Sequence, residues 1–305
     1  MVLAGLLAIV ILTFTFMVMD ATDSLPSWDR NRVNKTQKSV VSKDGATIAF
    51  EQSGSGPAIV LVSAALADRD GAAKLARLLA PDFTVLNYDR RGRGSSTDHQ
   101  PYAVEREVED IEALMDSAGG PAYLFGSSSG SVLALEAANK LGRKTKGVVM
   151  FEPPFIIDGS RPPMPEDLSQ QIDRLVADNR RDDAAKHFFT HGMGIPPVFV
   201  TLMRLLMPGW SKMAAMTHTI RYDLAVLVGT QAGKPLPADR WASVQSPVLV
   251  LVGSRSEPFF HSGAKSLARI LRNAQYRPLE GRDHSAVLMA PQDLAAAIKE
   301  YFRRP

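Results

Sequence analysis

One stretch of the chain, residues 122–138 (AYLFGSSSGSVLALEAA), constrains the fold more than any other part of the sequence. An apolar, strand-like run leads into Gly-Ser-Ser-Ser-Gly at 126–130, and a helix-like run follows at once. This arrangement fits the G-x-S-x-G motif in the strand–turn–helix context that the motif requires. Glycine is needed at both ends of the turn because a β-carbon there would collide with neighbouring backbone. The pattern therefore predicts that Ser128 is held in a strained conformation at the tip of a strand.

Two other interpretations of GSSSG are a flexible linker and a plain serine N-cap. A linker is not expected between a buried strand and a helix, so we favour a reactive serine at position 128. Serine is a weak nucleophile by itself and needs a base within hydrogen-bond reach. The amides at a helix N-terminus favour developing negative charge, so the amide of Ser129 is one predicted oxyanion donor.

Short apolar runs alternate with longer amphipathic ones along most of the chain. A hairpin is predicted at 38–52 and strands at 58–63, 83–88, 122–125, 147–151, 248–252 and 275–279, of which 58–63 is continuously apolar. Strands that are apolar along their whole length are typical of parallel sheets covered on both faces. With helical segments between them, these runs predict an α/β fold: a mostly parallel, eight-stranded sheet with helices on both faces.

The alternation stops between Pro153 and Ser246, where the chain is rich in Met, Phe, Arg and Pro and predicts several helices without a strand. An insertion after the sixth strand would lie at the carboxyl ends of the strands, where open α/β sheets bind ligands. We therefore predict a helical lid at 154–246 and a core formed by 39–153 and 247–305.

Residues 1–38 are predicted to lie outside the catalytic fold. Val2–Met19 is apolar apart from two threonines and is just long enough to cross a bilayer. No basic residue precedes it and no small-x-small site follows it, so a cleavable signal peptide is the least favoured interpretation. One alternative is a single membrane anchor, which the basic residues after it would orient with the following domain in the cytoplasm. The other is a start codon assigned too far upstream, with Met17 or Met19 as the true beginning.

His284 is the favoured base among the six histidines. It follows the last predicted strand, in LEGRDH at 279–284, and precedes the terminal helix. A serine followed much later by the histidine is the chain order that accompanies the G-x-S-x-G turn. The alternative is a surface histidine that caps a helix.

The acid that would orient His284 has two candidates. The usual position, three residues after the glycine that ends the seventh strand, holds Ser256, which cannot carry the negative charge that steadies an imidazolium. Glu257 is adjacent, although its side chain would point differently. Glu152 ends the apolar strand GVVMF, and a carboxylate at that place is costly unless it is paired or used. We favour Glu152, with Glu257 as the alternative and neither as a third outcome.

With these residues in place, the chain resembles the α/β-hydrolase superfamily, specifically its lid-bearing, single-domain, esterase-like branch, from about Thr47 to Phe302. The resemblance is carried by GSSSG around Ser128, the late His284, and DRRGRGSS at 89–96, which fits a D-x-R-G-x-G-x-S loop after the fourth strand. The resemblance implies an architectural role for that loop, and for Asp89 and Arg91 in particular.

The same resemblance implies a second oxyanion donor. The family usually has His-Gly after the third strand, with the donor amide on the next residue. Here the dipeptide is Ser63-Ala64, so the corresponding amide belongs to Ala65. The chain is also similar to haloalkane dehalogenases, some of which place the catalytic acid after the sixth strand, as Glu152 does. Those enzymes use an aspartate nucleophile, and Ser128 argues against their chemistry.

Composition excludes several classes of function. The net charge of +3 is small, and the basic residues are scattered, so we expect no nucleic-acid partner. The chain has no cysteine, which excludes disulfides, thiolate metal sites and a cysteine nucleophile. We predict neither a metal nor a cofactor.

The leading hypothesis is a cytoplasmic serine hydrolase that cleaves a carboxylic ester or lactone through an acyl-enzyme. The Met- and Phe-rich insertion favours a small apolar ester-type substrate, although it would equally suit the core of a plain lid. The same groups could serve a thioesterase, a carbon–carbon hydrolase or a perhydrolase. A non-catalytic, ligand-binding member of the fold is the alternative from another class. The sequence does not indicate the oligomeric state.

Overall fold

The structure is a computed structural model, and it describes residues 36–303. The apolar run Val2–Met19, interpreted above as a membrane anchor or an untranslated stretch, lies outside the described residues. Between residues 36 and 303 there is no helix long and apolar enough to cross a membrane.

Eight strands and eleven α-helices make up the regular structure of the described chain. The strands are β1 Thr36–Val41, β2 Thr47–Ser53, β3 Ala58–Val62, β4 Thr84–Tyr88, β5 Ala122–Ser127, β6 Thr145–Phe151, β7 Val248–Gly253 and β8 Ala274–Leu279. The helices are α1 Ala73–Leu79, α2 Val104–Ser117, α3 Ser129–Leu141, α4 Leu168–Ala177, α5 Arg181–His187, α6 Pro197–Leu206, α7 Trp210–Ala215, α8 Ile220–Val226, α9 Pro258–Ile270, α10 Ala286–Met289 and α11 Pro291–Phe302.

The strands form one sheet in the order β1-β2-β4-β3-β5-β6-β7-β8. The pairs β1–β2 and β2–β4 are antiparallel, and every other neighbouring pair is parallel. The predicted α/β fold with a mostly parallel, eight-stranded sheet is therefore confirmed. Because β5 lies in the middle of the sheet, the turn after it opens at the carboxyl edge, between the ends of β3 and β6.

The apolar strands are buried on both faces because alternate side chains enter two separate cores. In β3, Ile59 and Leu61 belong to the core that contains α1 and α11, whereas Val60 and Val62 belong to the core that contains α2, α3 and α9. Strand β7 is divided in the same way, with all six of its residues buried. This double covering explains why the sequence of the central strands is continuously apolar rather than alternating.

The chain between β6 and β7 contains helices and no strand, as predicted, but it does not form one piece. Residues 165–217 form a compact unit of their own, and 218–303 belong to the unit that contains the sheet. The sheet unit therefore holds the two ends of the predicted lid, 154–164 and 218–246. Val226, Leu227 and Trp241 explain this division because they are buried in the larger core of the sheet unit.

The 165–217 unit has its own small core. Its buried residues include three aromatic side chains, Phe188, Phe189 and Trp210, and the rings of Phe189 and Trp210 lie 5.6 Å apart. The indole of Trp210 donates a 2.8 Å hydrogen bond to Asp182. Helix α6 leaves apolar side chains in solvent, with Val198 68% and Leu205 69% exposed.

Candidate active site

Ser128 lies at the junction of β5 and α3 with backbone angles φ 52° and ψ −128°. This conformation is strained for any residue with a β-carbon, as the sequence predicts. The Ser128 amide donates a 2.8 Å hydrogen bond to the carbonyl oxygen of Phe151 at the end of β6. A β-carbon at Gly126 would lie 2.4 Å from the Gly130 oxygen, and one at Gly130 would lie 2.4 Å from the Ser63 oxygen. Both glycines are therefore required by the close approach of α3 to the sheet.

His284 lies in the loop between β8 and α10, and its ring contacts the carboxylate of Glu152, the residue directly after β6. The distance from His284 Nδ1 to Glu152 Oε2 is 2.7 Å. An ionised carboxylate only accepts hydrogen bonds, so Nδ1 carries the proton and donates it. The other ring nitrogen, Nε2, is then left as an acceptor. The Phe260 ring stacks on the imidazole with a centroid distance of 5.0 Å and an interplanar angle of 20°.

The Glu152 carboxylate is fully buried and accepts three hydrogen bonds. Besides His284, its donors are the Gly253 amide at 2.7 Å and the Ser256 hydroxyl at 2.5 Å, both on Oε1. Hydrogen bonds of this number offset the cost of taking a carboxylate out of water. Ser256 thus lies where an acid was expected, and it donates a hydrogen bond to Glu152, which directly follows the neighbouring strand β6.

The alternative acid, Glu257, lies elsewhere. Its side chain is 64% exposed, and its oxygen is 3.9 Å from the Arg161 guanidinium. It precedes Pro258 at the start of α9 and makes no hydrogen bond to the helix N-terminus. Within residues 36–303, Glu152 is the carboxylate that binds the ring of His284.

The two predicted oxyanion amides come from the ends of β5 and β3. Ser129 is the first residue of α3, and Ala65 lies in the turn after β3. Neither amide donates to another group within the part of the chain that the structure describes. Of the four non-glycine residues with positive φ there, three belong to this region: Leu66, Ser128 and Glu152. Backbone strain clusters where proteins hold groups for function.

The loop at 89–96 is tied into the fold by its acid and by its second arginine. Asp89 accepts from the Arg69 amide at 2.9 Å and from the Arg69 guanidinium at 2.6 Å. Arg91 is fully buried and binds both oxygens of Asp110 at 2.7 and 2.9 Å, and also Asp44 at 2.7 Å. These contacts suit the architectural role that the family resemblance implies.

The remaining two arginines of that loop belong to a buried charge network that the sequence did not predict. Arg90 binds both oxygens of Glu107 at 2.7 Å and one oxygen of Asp223 at 2.5 Å. Arg93 binds the other oxygen of Asp223 at 2.5 Å. The Ser129 hydroxyl donates a 2.7 Å hydrogen bond to the Asp223 oxygen that Arg90 also contacts. Two guanidinium groups and two carboxylates balance in charge, which makes their complete burial tolerable.

The pKa of Asp223 shows that its surroundings favour the ionised form of this carboxyl. Burial alone would raise the pKa of this carboxyl, but the positive charges of Arg90 and Arg93 outweigh burial, so its pKa lies below the ordinary value of 3.8. Burial, followed by the charge of Arg90, lowers the pKa of Arg93. A sequence signal for this network is Asp223 within IRYDLAV of α8, a short helix that is otherwise apolar except for Arg221 and Tyr222.

Comparison with known proteins agrees with this architecture. The profile of the alpha/beta hydrolase family matches residues 59–297. The uncharacterised hydrolase YraK of Bacillus subtilis is 36% identical over 113 residues, which are 36% of this chain and 42% of YraK. The match thus spans less than half the length of that curated relative.

Two solved structures extend the comparison. An alpha/beta hydrolase from Sphaerobacter thermophilus is 46% identical, with a TM-score of 0.80 over 87% of this chain and all of that chain. A thermophilic esterase from Thermogutta terrifontis is 21% identical, with a TM-score of 0.65 over 88% of this chain and 98% of that chain, and shows a shared fold. The family profile covers well over half of the residues. This chain is a hydrolase-fold protein that belongs to the alpha/beta hydrolase family.

Proposed function

We propose that this protein is a serine hydrolase that cleaves a carboxylic ester or lactone through an acyl-enzyme. The observation that carries the proposal is the 2.7 Å hydrogen bond between His284 Nδ1 and Glu152 Oε2. Glu152 directly follows Phe151, whose carbonyl binds the strained Ser128 amide. The proposed nucleophile is thus hydrogen-bonded to the residue that directly precedes the proposed acid, and the two lie at the ends of the neighbouring strands β5 and β6.

In the proposed reaction, the Ser128 oxygen attacks the ester carbonyl carbon while Nε2 of His284 takes the hydroxyl proton. Glu152 holds the ring by its Nδ1 proton and stabilises the positive charge that the ring gains. The carbonyl oxygen becomes an oxyanion, which the amides of Ser129 and Ala65 bind. When this intermediate collapses, the bond to the leaving alcohol breaks and His284 protonates the leaving oxygen. Water then repeats the sequence on the acyl-enzyme and releases the acid.

A small apolar substrate is the class that the surroundings favour. The Phe260 ring covers one side of the imidazole, and two exposed apolar side chains, Leu288 at 56% and Met289 at 42%, lie in the short helix that follows it. An apolar acyl or alkyl group would gain about 25 cal/mol for each Å² that it buries against such side chains. We also propose that the helices of 165–217 serve as the lid, because they are inserted between β6 and β7 and expose apolar residues on α6.

Turnover of p-nitrophenyl acetate and labelling by a fluorophosphonate test the proposal. Ser128→Ala should abolish both, because among residues 36–303 Ser128 is the one hydroxyl-bearing residue with a positive φ. Ser127→Ala is the matched control, since it removes a neighbouring hydroxyl of the same turn and should keep both activities. Labelled Ser128 without turnover of any ester would favour the thioester, carbon–carbon or perhydrolase chemistries. Ester turnover by Ser128→Ala would refute the assignment of the nucleophile.

A further inference from the structure

The buried guanidinium of Arg93 binds the turn that carries the second proposed oxyanion amide. Its Nη1 donates to the carbonyl oxygen of Ala64 at 2.6 Å and to that of Ala67 at 3.2 Å. Its Nε donates to the Thr219 hydroxyl at 3.0 Å, and its Nη2 to Asp223. Arg93 is only 1% exposed, so these protein groups, and not water, satisfy it.

The Ala64 carbonyl matters because it shares a peptide plane with the Ala65 amide. The peptide bond is planar and trans, so the C=O and N–H of one peptide group point in opposite directions. A hydrogen bond that fixes the Ala64 oxygen therefore fixes the direction of the Ala65 N–H. A charged donor on that oxygen also polarises the peptide and strengthens the N–H as a donor.

The first proposed oxyanion amide is fixed in the same manner. The carbonyl of Ser128 shares its plane with the Ser129 amide, and it accepts from the Ser131 amide at 3.0 Å and the Ser131 hydroxyl at 2.6 Å. The Ser129 hydroxyl binds the same carboxylate, Asp223, that binds Arg93. One buried carboxylate from α8 thus contacts Ser129 directly and reaches the turn at Ala64 through Arg93.

We infer that Arg93 is a positioning residue for the proposed ester hydrolysis, which orients the Ala65 amide through the Ala64 carbonyl and is itself held by Asp223. The inference rests on the proposed function. Its consequence is that Arg93 acts on the tetrahedral intermediate, where the oxyanion forms, and not on the binding of the ground-state ester. A change at Arg93 is therefore expected in kcat, with KM nearly unchanged.

Arg91 provides a matched control in the same loop. Arg91 is as buried as Arg93. It binds two carboxylates, Asp110 and Asp44, where Arg93 binds one. Its one carbonyl contact is to Arg106 in α2, at 3.1 Å, and not to the turn after β3. Replacement of either arginine by lysine disturbs a buried ion pair, but only Arg93→Lys releases the Ala64 oxygen.

The experiment compares p-nitrophenyl acetate with its thiono analogue, in which C=S replaces C=O. Sulfur is a weak acceptor, so the thiono ester gains little from the oxyanion amides. The ratio of kcat/KM for the two esters therefore reports on the hole, whereas a general loss of folded protein lowers both rates alike. We expect Arg93→Lys to lower kcat for the oxygen ester about 10- to 100-fold, somewhat less than the loss of a whole donor, and to reduce the ratio by a similar factor. Arg91→Lys should leave the ratio within about twofold of wild type.

Equal losses for both esters in Arg93→Lys, or an unchanged kcat, would overturn the inference. If that variant does not fold by circular dichroism, Ser129→Ala replaces it, because it keeps the amide and removes only the hydroxyl bond to Asp223. A ratio unchanged in Ser129→Ala would then count against the coupling through Asp223. Failure of the proposed function would give a different result: Ser128→Ala would then still turn over the oxygen ester.

Discussion

Replacement of Glu152 by glutamine is the sharpest perturbation of the proposed triad, because the three donors around the carboxylate decide how the amide must lie. Oε1 accepts from two donors, Gly253 and Ser256, and Oε2 accepts from His284 alone. A glutamine would keep its carbonyl oxygen against the two donors and turn its NH2 group toward the imidazole. The NH2 group only donates, so Nδ1 must lose its proton and Nε2 must carry it. The ring would then be the wrong tautomer to take the proton of Ser128.

The expected loss follows from this tautomer exchange. A triad acid changed to its amide, with the geometry kept, lowers kcat by a factor on the order of 10⁴. At 1.36 kcal/mol for each factor of ten, this is about 5 kcal/mol of transition-state stabilisation. The fold should persist, because glutamine has nearly the volume of glutamate and two of the three hydrogen bonds remain.

The assay is steady-state hydrolysis of p-nitrophenyl acetate, with thermal unfolding as the check on folding. Glu257→Gln is the control, since that side chain is 64% exposed and should change kcat by less than about twofold. A folded Glu152→Gln enzyme that keeps more than a tenth of wild-type kcat would refute the reasoning. A large loss in Glu257→Gln would assign the acid to the loop after β7 instead.

Three further predictions concern the support of the site and of the fold. Ser256→Ala removes one charge-assisted hydrogen bond from Glu152, and we expect kcat to fall about tenfold with KM unchanged; an unaltered kcat would mean that the Gly253 amide alone suffices. Gly130→Ala places a β-carbon 2.4 Å from the Ser63 oxygen, so urea titration should show a loss of about 2 kcal/mol or more in the free energy of unfolding, whereas wild-type stability would contradict the close approach of α3. Hydrogen bonds from its two lysine partners lower the pKa of Glu112 below 4.5, so its stabilising effect is present above pH 4.5 and is lost as the pH falls through its folded-state pKa. Denaturation midpoints of wild type and Glu112→Gln should accordingly differ at pH 6, and the difference should shrink as the pH falls below 4.5; a constant difference would exclude this linkage.

The elements that the sequence predicted well are those whose residues must satisfy a local rule. The strained turn at Ser128 could be predicted because two glycines and a continuous apolar strand leave few alternative structures. A hydrogen-bond partner for Glu152 could be predicted because a carboxylate at the end of a buried strand is costly without one. The start of α9 at Pro258 satisfies a local rule as well, because proline suits the first turn of a helix.

The elements that the sequence did not predict depend on distant contacts. Asp223 meets Arg90 across 133 residues and Arg93 across 130, and no local pattern records such a pairing. The division of the insertion at residue 217 has the same cause, because α8 and the chain after it are held by the sheet unit rather than by the helices before them. Ser256 was noted as a missing acid, but its hydroxyl bond to Glu152 required the loops after β6 and β7 to be placed side by side.

The position of Glu152 has a mechanical consequence for the three proposed catalytic groups. The Glu152 amide donates a hydrogen bond to the Leu251 carbonyl of β7, and the Phe151 carbonyl accepts one from the Ser128 amide. Backbone hydrogen bonds therefore hold the proposed nucleophile and acid at the ends of neighbouring strands. His284 lies in the loop between β8 and α10; its side chain is 35% exposed, with one hydrogen bond to Glu152 and the rings of Phe151 and Phe260 stacked beside it. If the proposed roles hold, we therefore expect the imidazole, and not Ser128 or Glu152, to make the small movement that carries a proton from the serine to the leaving oxygen.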